Sequence, residues 1–263
     1  MIPADVILLG HGSRRGSETD EGLKDAAGRL QRLAGPGVRV RMAAFEFTRP
    51  SIPEAVSALV EEGSRRIVIA PFFLFDGKHV RVEIPEELDG LRARYPDLDL
   101  RLARTLEKDP RLVDVAVERV QAVVRPSHWP SPRGRGNKGG DGVIFVNRGT
   151  RRRYDSGERL REMAIAVQER LGDGTVVEPA QAEYESPTIM EAAEALAAAG
   201  VPRVAVLPYI FFPGKVLNVN IRPAVEEARG RHPHTEFLVA PTLGVDDRVV
   251  QIAWERAQEA AGG

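Results

Sequence analysis

The chain has 263 residues, and its 37 Lys and Arg nearly cancel its 38 Asp and Glu, so no global field recruits nucleic acid or an anionic membrane. It contains no cysteine, which excludes disulfides, thiolate metal sites, cysteine-ligated iron–sulfur clusters and a cysteine nucleophile. Imidazole, carboxylate and water remain as possible metal ligands.

The opening stretch MIPADVILLGHG lacks the basic and apolar regions of a secretory leader. The longest apolar runs, such as IVIAPFFLF, fall far short of the roughly 20 residues that span a bilayer. A soluble, cytoplasmic protein is expected. From the N-terminus, DVILLG (5–10), VRVRMAAFEF (38–47), RRIVIAPFFLF (65–75) and LDLRLAR (98–104) read as strands. Helical spacing predicts helices near 17–34, 53–62, 80–95 and 109–124, with Pro53, Pro85 and Pro110 at starts where a missing N–H costs little. Residues 125–141 are rich in Pro, Ser, Gly and Arg without apolar periodicity and read as a solvated linker, in which His128 and Trp129 receive no role.

Beyond the linker the pattern repeats. VILLGHGSRRGS (6–17) matches VIFVNRGTRRRY (143–154), so His11 aligns with Arg148, a shift of 148 − 11 = 137. The same shift carries FEFTRPSIPEA (45–55) onto AEYESPTIMEA (182–192), APFFLFDGK (70–78) onto LPYIFFPGK (207–215), and RTLEKDPR (104–111) onto PTLGVDDR (241–248). A gapless register of this length identifies an internal duplication. The expected organisation is an N-terminal domain over 1–124, a linker over 125–141 and a second copy over 142–263. Alternating strands and helices predict an α/β fold, each copy a parallel sheet with helices on both faces and its ligands beyond the carboxyl ends of the strands.

Three chemistry-bearing residues fall at such ends: His11 after the first strand, Glu46 at the end of the second and His79 after the third. Two imidazoles and a carboxylate suit Fe²⁺, Co²⁺, Ni²⁺ or Zn²⁺. A loop histidine is more often a surface residue. What raises His11 and His79 is that the second copy keeps the scaffold but has Arg148 and Val216 in their places, whereas Glu46 is kept as Glu183. His232 and His234 read as surface turn residues. Glu83, four residues after His79, could hold the imidazole, but a charge at a helix start is the expected reading. Arg14 and Arg15, with Arg151 to Arg153 in the second copy, stand in strand-to-helix turns where guanidinium groups suit carboxylates.

LLGHGSRRGS, FEFTRPSIPEA and IVIAPFFLFDGKHVRVEIP together resemble the signature of CbiX-type sirohydrochlorin chelatases, class II chelatases whose long members are internally duplicated. The resemblance spans both halves. It implies ATP-independent insertion of Co²⁺ or Fe²⁺, as substrate metal, into sirohydrochlorin on the way to cobalamin or sirohaem, with no permanently bound cofactor. It also implies that His11 and His79 are metal-binding and catalytic, with Glu46 as the site carboxylate. Glu83 departs from the Asp of the family's GxHxxxDIP pattern. No GxxxxGK[ST] phosphate loop occurs in the chain, consistent with independence from ATP. Insertion needs a weakly held ion and a base for two pyrrole protons, and an unliganded imidazole can serve as that base. Arg148, no longer a ligand, is expected to face a substrate carboxylate across a cleft between the copies, helped by Lys78 and Lys215. The duplication is compatible with a monomer, and no nucleic-acid or membrane partner is expected.

Two other classes compete. Gly10, Gly12 and Gly16 approximate a dinucleotide fingerprint, but with an extra residue in the spacing. A non-catalytic metal or tetrapyrrole carrier would use the same ligands as a chelatase and differ only in turnover. A histidine phosphatase would place Arg before its nucleophile, where Gly10 stands.

Overall fold

The structure is a computed structural model that describes residues 4–13, 18–124, 140–149, 156–172 and 174–262. Arg14, Arg15, Arg151 to Arg153 and nearly all of the linker, with His128 and Trp129, lie outside the described residues.

The first half runs β1 (Asp5–Gly10), α1 (Glu18–Ala34), β2 (Val40–Ala44), α2 (Ile52–Glu61), β3 (Arg66–Pro71), a π-helical turn (His79–Glu83), α3 (Ile84–Arg94), β4 (Asp99–Leu102) and α4 (Pro110–Val124). The second runs β5 (Gly142–Asn147), α5 (Ser156–Leu171), β6 (Val176–Gln181), α6 (Ile189–Ala198), β7 (Arg203–Pro208), a second π-helical turn (Val216–Ile221), α7 (Arg222–Arg231), β8 (Glu236–Val239) and α8 (Asp247–Gly262). Each half forms a four-stranded parallel sheet, in the orders β2-β1-β3-β4 and β6-β5-β7-β8.

The duplication holds down to single pairings. Val6 opposes Val40 in the first sheet and Val143 opposes Val177 in the second, with 143 − 6 = 177 − 40 = 137. The helix starts repeat as well: Ser51 with Glu54 and Thr188 with Glu191 form capping boxes at α2 and α6. Every residue of β1 is buried, as a central parallel strand covered on both faces requires. On one face of the first sheet Ile7, Leu9, Ile67 and Ile69 meet Ile52, Val56 and Leu59 of α2 and Ile84, Leu88 and Leu91 of α3. Ile144, Val146, Val204 and Val206 do the same against α6 and α7 in the second.

The opposite faces depart from the expected division at residue 124. The chain forms two compact units, one of residues 1–109 and 245–263, the other of residues 110–244. The last helix of each repeat therefore belongs to the other repeat's unit. Helix α8 packs beside α1 on β3 and β4, and α4 packs beside α5 on β7 and β8. In the first unit, Arg29 of α1 reaches Asp247 at 2.8 Å, Arg101 donates to the Ala260 carbonyl at 2.9 Å, and buried Arg256 meets buried Asp109 at 3.3 Å. In the second, Arg119 of α4 donates to the Leu243 carbonyl at 3.0 Å and Asp114 pairs with Arg170 of α5. The physical reason is burial: each sheet needs a second helix on that face, and a fully buried Val or Ile contributes about 1.5–3 kcal/mol wherever its helix originates.

The strands are also shorter than expected at their carboxyl ends. β2 stops at Ala44, because the chain turns at Phe47 (φ 64°) and returns so that the Ala44 N–H donates to the Pro50 carbonyl at 2.9 Å. Glu46 therefore sits in a turn and not on the strand.

Candidate functional site

Because β1 lies between β2 and β3, the carboxyl ends of three neighbouring strands meet at one rim of the first unit. His11 follows β1 directly. Its carbonyl accepts from the Glu46 N–H at 2.9 Å, and the Gly10 carbonyl accepts from the Phe45 N–H at 2.9 Å, so the turn after β2 is stitched to the turn after β1. Gly12 makes that approach possible: it has φ 86°, and a Cβ there would overlap the Glu46 carbonyl oxygen. Gly10 leaves room for Leu23 of α1. Packing of helix and turn thus accounts for two of the three glycines that suggest a dinucleotide fingerprint.

His79 opens the π-helical turn after β3, and its ring stands edge-on to that of His11 with centroids 5.1 Å apart. Phe45 flanks His79 at 4.9 Å, and the Phe47 ring stacks over His11 at 6.4 Å. Wider π-helical turns are frequent at functional sites, and this one lets residues 79 and 83 share a face. His79 Nδ1 is hydrogen-bonded to Glu83, whose other oxygen accepts from Lys78. The hydrogen bond from Lys78, followed by that from His79, holds the Glu83 carboxyl below its ordinary range against the opposing effect of burial. Glu83 stands at the N-cap of α3, as the helix-start reading expects, but makes no side-chain capping bond, and its carboxylate instead holds the imidazole. A carboxylate on Nδ1 leaves Nε2 as the outward nitrogen, the arrangement by which second partners orient metal-binding histidines.

The structure brings His11 and His79 together, with both side chains partly accessible. Glu46 is half-buried and joined to His11 through its backbone. Among the described residues, no three imidazole or carboxylate side chains stand at the spacing that grips a metal ion, so these groups do not form a preassembled three-ligand cage.

In the second unit the same backbone carries different chemistry. Gly149 repeats the left-handed turn (φ 87°) against the Glu183 carbonyl, and the Arg148 carbonyl accepts from the Glu183 N–H at 2.8 Å. The Arg148 side chain, half exposed, pairs with the nearly buried Glu183 at 3.3 Å. Burial would raise the Glu183 carboxyl, but hydrogen bonds from Tyr184 and Arg148 and the charges of Arg148 and Lys215 outweigh it and hold the group below its usual value. Arg148 and Lys78, expected as cations for a substrate, are thus both engaged with carboxylates, while Lys215 is exposed. A cavity of about 310 Å³ opens beside this rim, lined by Gln181, Glu183, Tyr184, Glu185, Thr188 and Asn220 among others. It had no sequence signal beyond the register that puts Asn220 where the first copy has Glu83. His232 and His234 lie between α7 and β8, at the other end of the strands, as their turn reading implies.

Taken together, fold and rim define a duplicated parallel α/β protein with paired histidines at the strand ends of one copy alone. The sequence profile of the CbiX family matches residues 5–123 and again 142–260, so the chain belongs to the CbiX family. It is 24% identical over 258 residues to the sirohydrochlorin cobaltochelatase of Priestia megaterium, covering 98% of this chain and 80% of that one. It is 27% identical over 251 residues to the sirohydrochlorin ferrochelatase of the same organism, covering 94% and 86%. Among solved structures, SirB from Bacillus subtilis with Fe³⁺ superposes with a TM-score of 0.79 at 20% identity over 98% of this chain and 95% of that one, and confirms the fold. Among the described residues no helix is long and apolar enough to cross a membrane.

Proposed function

We propose that this protein inserts Co²⁺ or Fe²⁺ into sirohydrochlorin without ATP, as a sirohydrochlorin chelatase acting in the cytoplasm as a monomer. The observation that carries the reading is the His11–His79 pair at the shared rim, with His79 oriented by Glu83. The relatives named for cobalt and for iron insertion in Priestia megaterium support it.

Insertion exchanges two pyrrole protons for one divalent ion, so two N–H bonds break, two protons leave and four metal–nitrogen contacts form. His11 and His79 hold the incoming ion through imidazole nitrogens, a softer and weaker grip than a closed cage, so the macrocycle can take it. Glu46 completes the set by side-chain rotation within its turn. As the ion passes on, the freed imidazole of His11 accepts one pyrrole proton and the freed Glu46 carboxylate the other, and both pass to water. Lys78 and Arg148, by exchanging their present carboxylate partners, and Lys215, Arg14 and Arg15 answer the substrate's peripheral carboxylates. Co²⁺ and Fe²⁺ are substrates here, and Ni²⁺ or Zn²⁺ can enter the same donor set in vitro.

The test is the optical spectrum of sirohydrochlorin with catalytic amounts of protein and Co²⁺, then Fe²⁺ under anaerobic conditions, without ATP. Multiple turnovers above the spontaneous rate are expected, falling about 10²–10⁴-fold in His11→Ala and His79→Ala. A strictly stoichiometric spectral change would favour a carrier.

A further inference from the structure

Four of the seven exposed large apolar side chains among the described residues occur as a repeated pair. Phe47 and Val82 flank the first rim, and Tyr184 and Val219 stand at the same register in the second, with 184 − 47 = 219 − 82 = 137. Phe47 is 52% exposed and Tyr184 48%. Both also hold left-handed backbone, with φ of 64° and 72°. A bulky aromatic is among the least suited residues for that region, where Gly or Asn would fit at little cost. The Tyr184 hydroxyl donates to Glu183 in the second copy, a bond that the Phe47 ring cannot make, and neither burial nor backbone preference favours an aromatic ring at this place. Strain of this kind persists where the surroundings enforce it and clusters at ligand clamps.

The aromatic does not exist to serve the histidines, since the second unit keeps Tyr184 where Arg148 and Val216 replace them. Its position points to something that lies on the rim: the Phe47 ring stands 6.4 Å from that of His11, so a broad flat ligand in contact with the exposed part of Phe47 also reaches the edge of the imidazole. Val82 rises from the π-helical turn that also carries His79, and Lys78, 40% exposed, starts that turn with a cation. Apolar contact beside an exposed cation complements a flat macrocycle whose faces are apolar and whose edge bears carboxylates.

We propose that Phe47 and Val82 form the apolar platform against which the tetrapyrrole packs, and that Phe47 is a positioning residue that holds the ring beside His11 and His79. The inference rests on the chelatase reading and deepens it. Phe47→Gly separates this role from a structural one, because it removes both the strain and the platform. Its Tm should rise by about 2–4 °C, while its Kd for metal-free sirohydrochlorin, read from quenching of the ligand's own fluorescence, should weaken about tenfold. Co²⁺ binding measured calorimetrically without tetrapyrrole should weaken less than tetrapyrrole binding does, and Phe47→Tyr should keep tetrapyrrole affinity near the wild-type value. Val82→Ser, which leaves the turn at Phe47 intact, should weaken tetrapyrrole binding in the same direction. Wild-type affinity in Phe47→Gly would overturn the platform while leaving the chelatase reading in place. A wild-type protein that neither binds nor metallates sirohydrochlorin would overturn both.

Discussion

The two rims share a backbone and differ in what it displays. Gly12 and Gly149, the carbonyls of Glu46 and Glu183, the left-handed Phe47 and Tyr184 and the two π-helical turns coincide position by position. On that frame one unit sets His11 beside His79 and ties His79 to Glu83, and the other sets Arg148 on Glu183 beside Lys215. The difference explains why an imidazole in one copy meets a guanidinium in the other. With Val216 in place of His79, no second imidazole stands opposite, and a fixed cation on Glu183 keeps a nearly buried carboxylate compensated. Duplication preserved the geometry that presents a side chain and left the side chain free to change.

The comparison can be broken most forcefully at the glycines. Gly12→Ala and Gly149→Ala each drive a Cβ into a carbonyl oxygen and force an unfavourable φ, so each should cost about 2 kcal/mol or more in denaturant unfolding. Only Gly12→Ala should also abolish cobalt binding, because only that turn carries a histidine opposite a second one. Next in size is Glu83→Gln, which keeps the shape but removes the charge that orients His79. Metal affinity should fall about 10–100-fold, whereas Asn220→Ala, the matching change in the second unit, should leave it unaltered in the same titration.

A smaller effect lies at the opposite ends of the strands. Burial would raise the Asp5 carboxyl, but hydrogen bonds from Arg39, Ser64 and the Arg39 backbone outweigh it and depress the group. A depressed carboxyl contributes stability that is complete above its unfolded value of about 3.9 and is lost as pH falls through the lower folded value. Arg39→Ala should therefore shift the acid-unfolding midpoint upward and lower stability at pH 7 by about 1–3 kcal/mol, measured by circular dichroism across pH. The second unit instead pairs Asp141 with Arg203 at 2.9 Å, and Arg39→Ala should leave its cooperative unit intact in hydrogen exchange. The smallest change expected is Arg148→Ala. A half-exposed pair is worth little, so sirohydrochlorin affinity should fall by no more than about fivefold; no fall at all would make the second rim a scaffold.

Much of this is legible in the sequence. Pro53, Pro85 and Pro110 and the apolar runs of β1 and β3 are local signals, decided within a few residues, and they mark element type and order; the capping boxes at Ser51 and Thr188 add to them in the structure. The shift of 137 matched the two copies residue by residue and singled out His11 and His79 by their absence from the second copy. Glu83 was read less well, because a carboxylate four residues from a histidine can face it or cap a helix, and the choice depends on a π-helical turn that no residue pattern announces. Phe47 was missed as a site residue, since an aromatic at the end of an apolar run reads as strand until its left-handed turn is seen.

By itself, then, the sequence determined the duplicated α/β framework, its register and the identity of the two histidines, all of which follow from period, caps and self-similarity along the chain. Tertiary structure alone decided which sheet each closing helix covers, how close the imidazoles stand, and that Arg148 and Lys78 answer to Glu183 and Glu83. The physical reason is the same in each case. The apolar stripe of α4 or α8 does not itself name the sheet it covers, and a cation takes whichever carboxylate the fold brings within reach, so neither outcome is written in local sequence.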